Sequence, residues 1–154
     1  MNPFEQTAFR LIGLTLEGKT TNQDNQSAVD CGNLWQRFEQ AQIFSQIPNK
    51  LNDAILAVYY DYDGDETQPF SYMIGCQVSD EALVPEGLNE LKIPAQTYQK
   101  VEAKGALPAC IGAAWVGIWN SQPDRAFGYD FEVYDERSKD WSQAEVDIFL
   151  SMHA

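Results

Sequence analysis

The apolar residues of this chain change their spacing in the same order twice, and that recurrence narrows the available folds more than any single motif does. Residues 8–17 (AFRLIGLTLE) mix β-branched, aromatic and leucine side chains ahead of a polar connector, TTNQDNQS, which predicts a strand and then a loop. From Ser27 the period lengthens. Ala28, Cys31, Leu34, Trp35, Phe38 and Ala41 recur at three- and four-residue steps, which predicts one amphipathic helix reaching about Gln46, with Ser27 as N-cap and Asp30 three residues on. Residues 54–62 and 70–78 predict a hairpin around the polar turn DGDETQP. The first of these strands is apolar on both faces and belongs at the centre of a sheet, whereas Phe70, Tyr72, Ile74, Cys76 and Val78 share one face of the second.

The order then repeats. Residues 91–103 predict a strand, 108–120 a helix with Pro108 in its first turn, and 126–135 and 145–152 two more strands. Leu34-Trp35 and Ala114-Trp115 stand 80 residues apart, Phe38 matches Ile118 and Leu11 matches Leu91, so an internal duplication is expected, with repeats at about 8–78 and 91–152 joined by 79–90. Each repeat has too little core to stand alone. A chain of 154 residues therefore forms one α+β domain, 1–154, in which two β-α-β-β units merge into a single sheet carrying two helices.

Charge removes several functions. Ten Lys and Arg against 23 Asp and Glu give a net charge of -13, with no basic stripe to follow a phosphate backbone, so direct nucleic-acid binding is not expected. An acidic surface suits solubility, cationic small molecules or a basic protein partner. Cys31, Cys76 and Cys110 are odd in number and widely spaced, which suggests neither a disulfide framework nor a zinc site. With His153 as the only histidine, catalytic triads, Cys-His pairs and histidine metal sites are all disfavoured, and the chain is not expected to be an enzyme. Neither GxGxxG nor GxxxxGK[ST] occurs. Asp61, Asp63 and Asp65 follow the spacing of a calcium loop, but Glu66 stands where its glycine belongs and Tyr72 where its last glutamate belongs, so a solvated turn is expected and no metal or other cofactor. No apolar run of membrane-spanning length and no leader-like start is seen, so a cytoplasmic protein that makes no membrane contact is expected.

The run FxYxxGxxV from Phe70 to Val78, the stretch PEGLNELKIPAQTYQKVEAKG with Ile93, Pro94 and Tyr98, the Leu34-Trp35 pair and FEVY at Phe131–Tyr134 resemble the GyrI-like effector-binding domain, over about residues 8–152. This is the ligand-sensing part of AraC-type and multidrug-sensing MerR-type transcription regulators, related to the SOUL-like superfamily. The resemblance implies an antiparallel sheet from the duplicated unit and an aromatic pocket between the halves, where an acid meets cationic, often aromatic, ligands. Those regulators also carry a helix-turn-helix region for which this chain has no room. It is similar to a stand-alone domain of the kind found on mobile integron cassettes.

By position the acid is Glu132. Alternation puts Asp130, Glu132 and Tyr134 on one strand face and Tyr129, Phe131 and Val133 on the other, which by itself suits a glutamate in water. The resemblance implies instead that aromatics enclose it, leaving a desolvated charge that a cation would relieve. Trp35, Trp115, Trp119, Tyr60 and Tyr72 are the aromatics expected near it, with Tyr134 beside it, although tryptophans on a helix stripe are equally suited to core. The leading function is capture of amphipathic cations. Its rivals are a protein-interaction module with a separate partner, such as a gyrase modulator, and a small hydrolase using Glu132 as general base; a haem role has little support. The charge balance carries its own prediction: the isolated chain gives no gel shift with any duplex at physiological salt, and a measurable shift would reveal a basic patch assembled from distant residues.

Overall fold

The computed structural model describes residues 3–121 and 123–153. Its strands are β1 (Phe4–Gln6), β2 (Phe9–Thr15), β3 (Ile55–Tyr60), β4 (Ser71–Val78), β5 (Asn89–Ile93), β6 (Gln96–Gly105), β7 (Asp130–Tyr134) and β8 (Ala144–Met152). Helices α1 (Gln26–Gln40) and α2 (Ile43–Gln46) lie between β2 and β3, and α3 (Ala109–Ser121) lies between β6 and β7. All eight strands form one antiparallel sheet in the order β1-β6-β8-β7-β3-β4-β2-β5.

That order reads alike from both ends. Strands β2-β4-β3 and β6-β8-β7 each form a three-stranded unit, and the units meet where β3 pairs with β7 at the centre. The apolar β3 is thus covered on both faces. The two outer strands cross over: β1 leads into β2 but pairs with β6, while β5 leads into β6 but pairs with β2.

Alternation decides which side chains meet the helices. Ala57, Tyr72, Ile74, Cys76 and Val78 pack with Leu34 and Phe38 of α1, and Val146, Ile148 and Leu150 pack with Trp115 and Ile118 of α3. The opposite face gathers Leu11, Leu56, Val58, Met73, Ile93, Tyr98 and Phe131, and among the described residues no helix packs into this cluster. It is buried because the sheet curls. Phe9 on β2 and Phe131 on β7 are three strands apart, about 14 Å on a flat sheet, yet their ring centroids are 5.5 Å apart. Gly13 and Gly75 face each other across β2 and β4 on this inner side, and a Cβ on Gly13 would stand 2.0 Å from the Ile74 carbonyl oxygen.

Several sequence expectations need correction. The first helix does not run unbroken to Gln46, because Gln42 adopts a left-handed conformation (φ 52°) that separates α1 from α2. Ser27 and Asp30 form no cap: the Ser27 hydroxyl donates to Asn22, and the Asp30 carboxylate accepts from Thr20 and Gln26. Residues 91–103 are not one strand, since Pro94 has no N–H to give a ladder and the chain turns there between β5 and β6. The last-but-one strand starts at Asp130 rather than 126, as Phe127 (φ 53°) is also left-handed. The expected solvated turn is found: Asp61, Asp63 and Asp65 are exposed, and the first two pair with Lys19 from the loop after β2.

The glycine contact sets a test. Gly13→Ala forces a methyl against backbone that cannot give way, and overpacking of this kind costs about 1–3 kcal/mol. Its melting temperature should fall by at least about 3 °C; an unchanged melting curve would mean that the curl does not depend on this close approach.

Candidate functional site

Glu132 sits mid-strand on β7, opposite Ala57 of β3, at the seam between the two units and on the helix-bearing face. It is 1% exposed. Its Oε2 accepts from Tyr59 Oη at 2.7 Å and Trp115 Nε1 at 2.6 Å, and its Oε1 accepts from Tyr134 Oη at 2.6 Å. A carboxylate offers about four lone-pair sites, and three are filled here, all by neutral groups. Glu132 takes part in none of the ion pairs among the described residues. Its hydrogen bonding is satisfied and its charge is not.

Burial pushes the Glu132 carboxyl above the ordinary carboxylate range, and the bonds from Tyr134, Trp115 and Tyr59 pull it partly back. Around it, burial and then the Glu132 charge push the Tyr59 and Tyr134 hydroxyls well up. The Cys31 thiol is raised for the same two reasons. All three keep their protons, and the two tyrosines remain donors to the carboxylate.

Above the carboxylate lies a cavity of about 1050 Å³, with walls from α1, α3 and the central strands. Trp35, Tyr72, Trp115, Trp119, Tyr134 and Glu132, all singled out from the sequence, line it. Trp35 and Trp115, 80 residues apart, face it from opposite helices; Trp35 Nε1 donates to Tyr72 Oη at 2.8 Å, and Tyr59 packs at 5.0 Å from Tyr72 and 5.1 Å from Trp115.

Tyr60 does not belong to this group. It points to the inner face of the sheet and stacks on Tyr129 with ring centroids 5.8 Å apart. Its neighbour Tyr59 occupies the cavity, because Ala57 opposite Glu132 places odd-numbered residues of β3 on the helix face. Both faces of β3 are apolar, so alternation left the two tyrosines indistinguishable.

Cys31, Trp141 and Arg125 also line the cavity; Cys31 lies on the same helical stripe as Trp35, whereas Trp141 and Arg125 carried no signal in the sequence. Arg125 is buried and bonds Asp130 at 2.8 Å. Asp130 is therefore not a solvated neighbour of Glu132: it has no exposed surface, and it also accepts from Tyr62 Oη at 2.6 Å, from Ser151 N at 2.6 Å and from Ser151 Oγ at 2.8 Å.

Residues 4–151 match the family described as Cass2, integron-associated effector binding protein. The chain belongs to this family. It is 26% identical over 159 residues to the transcriptional regulator BrlR of Pseudomonas aeruginosa, a match covering 97% of this chain and 54% of the regulator, so the chain spans about half the length of that relative. The integron cassette protein VCH_CASS2 from the mobile metagenome of Vibrio cholerae has the same fold, with a TM-score of 0.72 at 24% identity, covering 99% of this chain and 95% of that one. SAV2435, solved bound to tetraphenylphosphonium, superposes with a TM-score of 0.77 at 17% identity, covering 99% of this chain and 93% of that one. The GyrI-like effector-binding architecture implied by the motifs is the architecture found.

The raised carboxyl gives this Cass2-family protein a defined pH dependence. With a native pKa above the unfolded one, the folded state holds its proton to higher pH, so stability falls as pH climbs from the ordinary carboxylate range through the native value. Glu132→Gln removes that fall. Between about pH 4 and about pH 7 the melting temperature of the variant should rise relative to the parent; a difference constant with pH would show that Glu132 does not titrate abnormally.

Proposed function

We propose that this Cass2-family chain captures amphipathic, lipophilic cations by equilibrium binding in the cavity over Glu132, with no bond made or broken. The observation that carries this reading is a fully buried carboxylate whose neighbours satisfy its hydrogen bonds but leave its charge unbalanced. A cation about 5 Å away gains about 3 kcal/mol at an effective dielectric constant near 20. An aromatic face adds about 0.5–2 kcal/mol. The charge is then the largest single polar contribution, and indole and phenol walls supply apolar area for a flat or bulky ligand. Tetraphenylphosphonium bound to SAV2435, a protein of the same fold, is a ligand of this chemical kind. The net charge of -13 further enriches cations near the surface.

Three donors already on the carboxylate also specify the kind of cation. A primary ammonium finds one lone pair left, on Oε1, and would have to compete with Tyr59, Trp115 and Tyr134 for any further bond, whereas a quaternary or delocalised cation, having no N–H to place, interacts through space alone. Quaternary ammonium and phosphonium ions should therefore bind at least as well as primary amines of equal apolar area.

Quenching of tryptophan fluorescence by tetraphenylphosphonium tests the proposal, with a dissociation constant expected in the micromolar range, about -8 kcal/mol. Tetraphenylmethane-like neutral analogues should bind more weakly. Removing one partner of a desolvated charge pair costs about 2–5 kcal/mol, so Glu132→Gln should weaken the cation at least tenfold, about 1.4 kcal/mol, and barely affect a neutral aromatic. Glu102→Gln, an exposed carboxylate on β6, is the control and should change affinity by less than twofold. Equal affinity of cation and neutral analogue in the parent would leave the counter-ion role without support.

A further inference from the structure

Trp141 lies in the segment between β7 and β8, lines the same cavity as Glu132 and is 61% exposed, whereas the other three tryptophans are buried or half-buried. Its backbone is fixed on both sides. The Trp141 carbonyl accepts from the Leu107 N–H at 2.8 Å, just ahead of α3, and the Asp140 carboxylate accepts from the Ser142 N–H at 3.0 Å and the Ser142 hydroxyl at 2.6 Å. The indole is not fixed in this way. Trp35 and Trp115 donate their indole N–H groups to Tyr72 and Glu132 and pack on other rings, but the Trp141 side chain has neither a hydrogen-bond partner nor an aromatic neighbour among the described residues. A wide apolar side chain on a well-held turn, left in water at the edge of a cavity, is a contact surface laid out ahead of its partner.

Position sets how far that partner must reach. Trp141 is tied to the start of α3, and Trp115, which donates to Glu132, stands six residue steps along the helix from Ala109, about 9 Å of rise. The indole and the buried carboxylate thus mark two ends of the cavity on the order of 10 Å apart. A volume of about 1050 Å³, at the top of the range of about 300–1000 Å³ usual for small-molecule sites, leaves room for one ligand to span them. Charge decides what belongs at the far end. Of the charged cavity residues in the β7–β8 segment, Asp135 shares its charge with Arg137 at 3.0 Å, and Lys139 has no ion pair among the described residues. A second positive group would meet an unbalanced lysine there rather than an unbalanced acid, so the far end suits a neutral group.

We propose that Trp141 forms a distal aromatic subsite, on which a neutral aromatic ring of the ligand stacks while the positive charge of the same ligand faces Glu132. The ligand class is accordingly narrower than a lipophilic cation: an elongated monocation whose second, uncharged ring system stands about 10 Å from the charge. This inference rests on the cation reading of the cavity.

Triphenylphosphonium probes test it, with alkyl tails of several lengths that end in naphthyl, in its saturated decalin counterpart or in trimethylammonium, and with methyltriphenylphosphonium as the tail-less reference. Affinity in the naphthyl series should pass through a maximum at the length that holds the ring about 10 Å from phosphorus. At that length the naphthyl probe should bind at least threefold tighter than its decalin twin, and the trimethylammonium probe no tighter than the decalin one. Trp141→Ala should weaken the best naphthyl probe at least fivefold and the tail-less reference less than twofold, the retained reference binding showing that the fold is intact. Trp141→Phe keeps a ring and should stay within about twofold of the parent for both. In the parent, the Trp141 indole N–H resonance, assigned by its loss in Trp141→Phe, should shift with the naphthyl probe and stay in place with the reference. Equal effects of Trp141→Ala on tailed and tail-less cations, or affinity that climbs with tail length without a maximum, overturns the subsite while leaving the cation reading intact. Tightest binding by the trimethylammonium tail overturns its neutral character. Failure of the tail-less reference to bind the parent removes the cation reading itself, and the subsite with it.

Discussion

The cavity depends on one hydrogen-bonded carboxylate. Glu132 is held at the seam by a tyrosine from β3, a tyrosine two residues along its own strand and a tryptophan from α3, so side chains from both units converge on its two oxygens. Charged, it costs folding free energy, since neutral donors only partly replace water. Under the proposed function, that cost is the source of selectivity: a ligand that brings positive charge would recover part of it, and one that does not would gain only apolar contact.

Two carboxylates on one strand face show how environment assigns different tasks to the same chemical group. Asp130 and Glu132 are both buried, and among the described residues only Asp130 of the two has a cation, Arg125, within bonding distance. Asp130 ties the segment before β7 to β8 through Ser151 and to the hairpin through Tyr62. Glu132, one pleat further on, is left for whatever enters from outside.

Much of this was legible from spacing. The helical stripes with Trp35 and Trp115, the central place of β3 and the parity of β7 all follow from which residues recur at steps of two, three or four. What alternation could not decide was Tyr59 against Tyr60, because β3 is buried on both sides and its pattern has no polar face to mark direction. Nor could it tell Asp130 from a solvated acid: its partner Arg125 comes from an irregular segment with no period at all. The helix break at Gln42 and the late start of β7 both turn on left-handed residues other than glycine, a backbone state that these sequences do not announce. The strand β1, three residues long, is too short to show a pattern.

The crossed outer strands have a mechanical consequence. Because β1 and β5 each extend the sheet of the opposite unit, neither unit can swing away about the β3·β7 seam without also tearing a strand from its own far neighbour. The floor beneath the ligand behaves as a laced plate rather than a hinge. Any adjustment to molecules of differing outline would thereby fall to the parts resting on that plate, the two helices and their aromatic side chains, while the position of the buried charge would stay the same from one guest to the next.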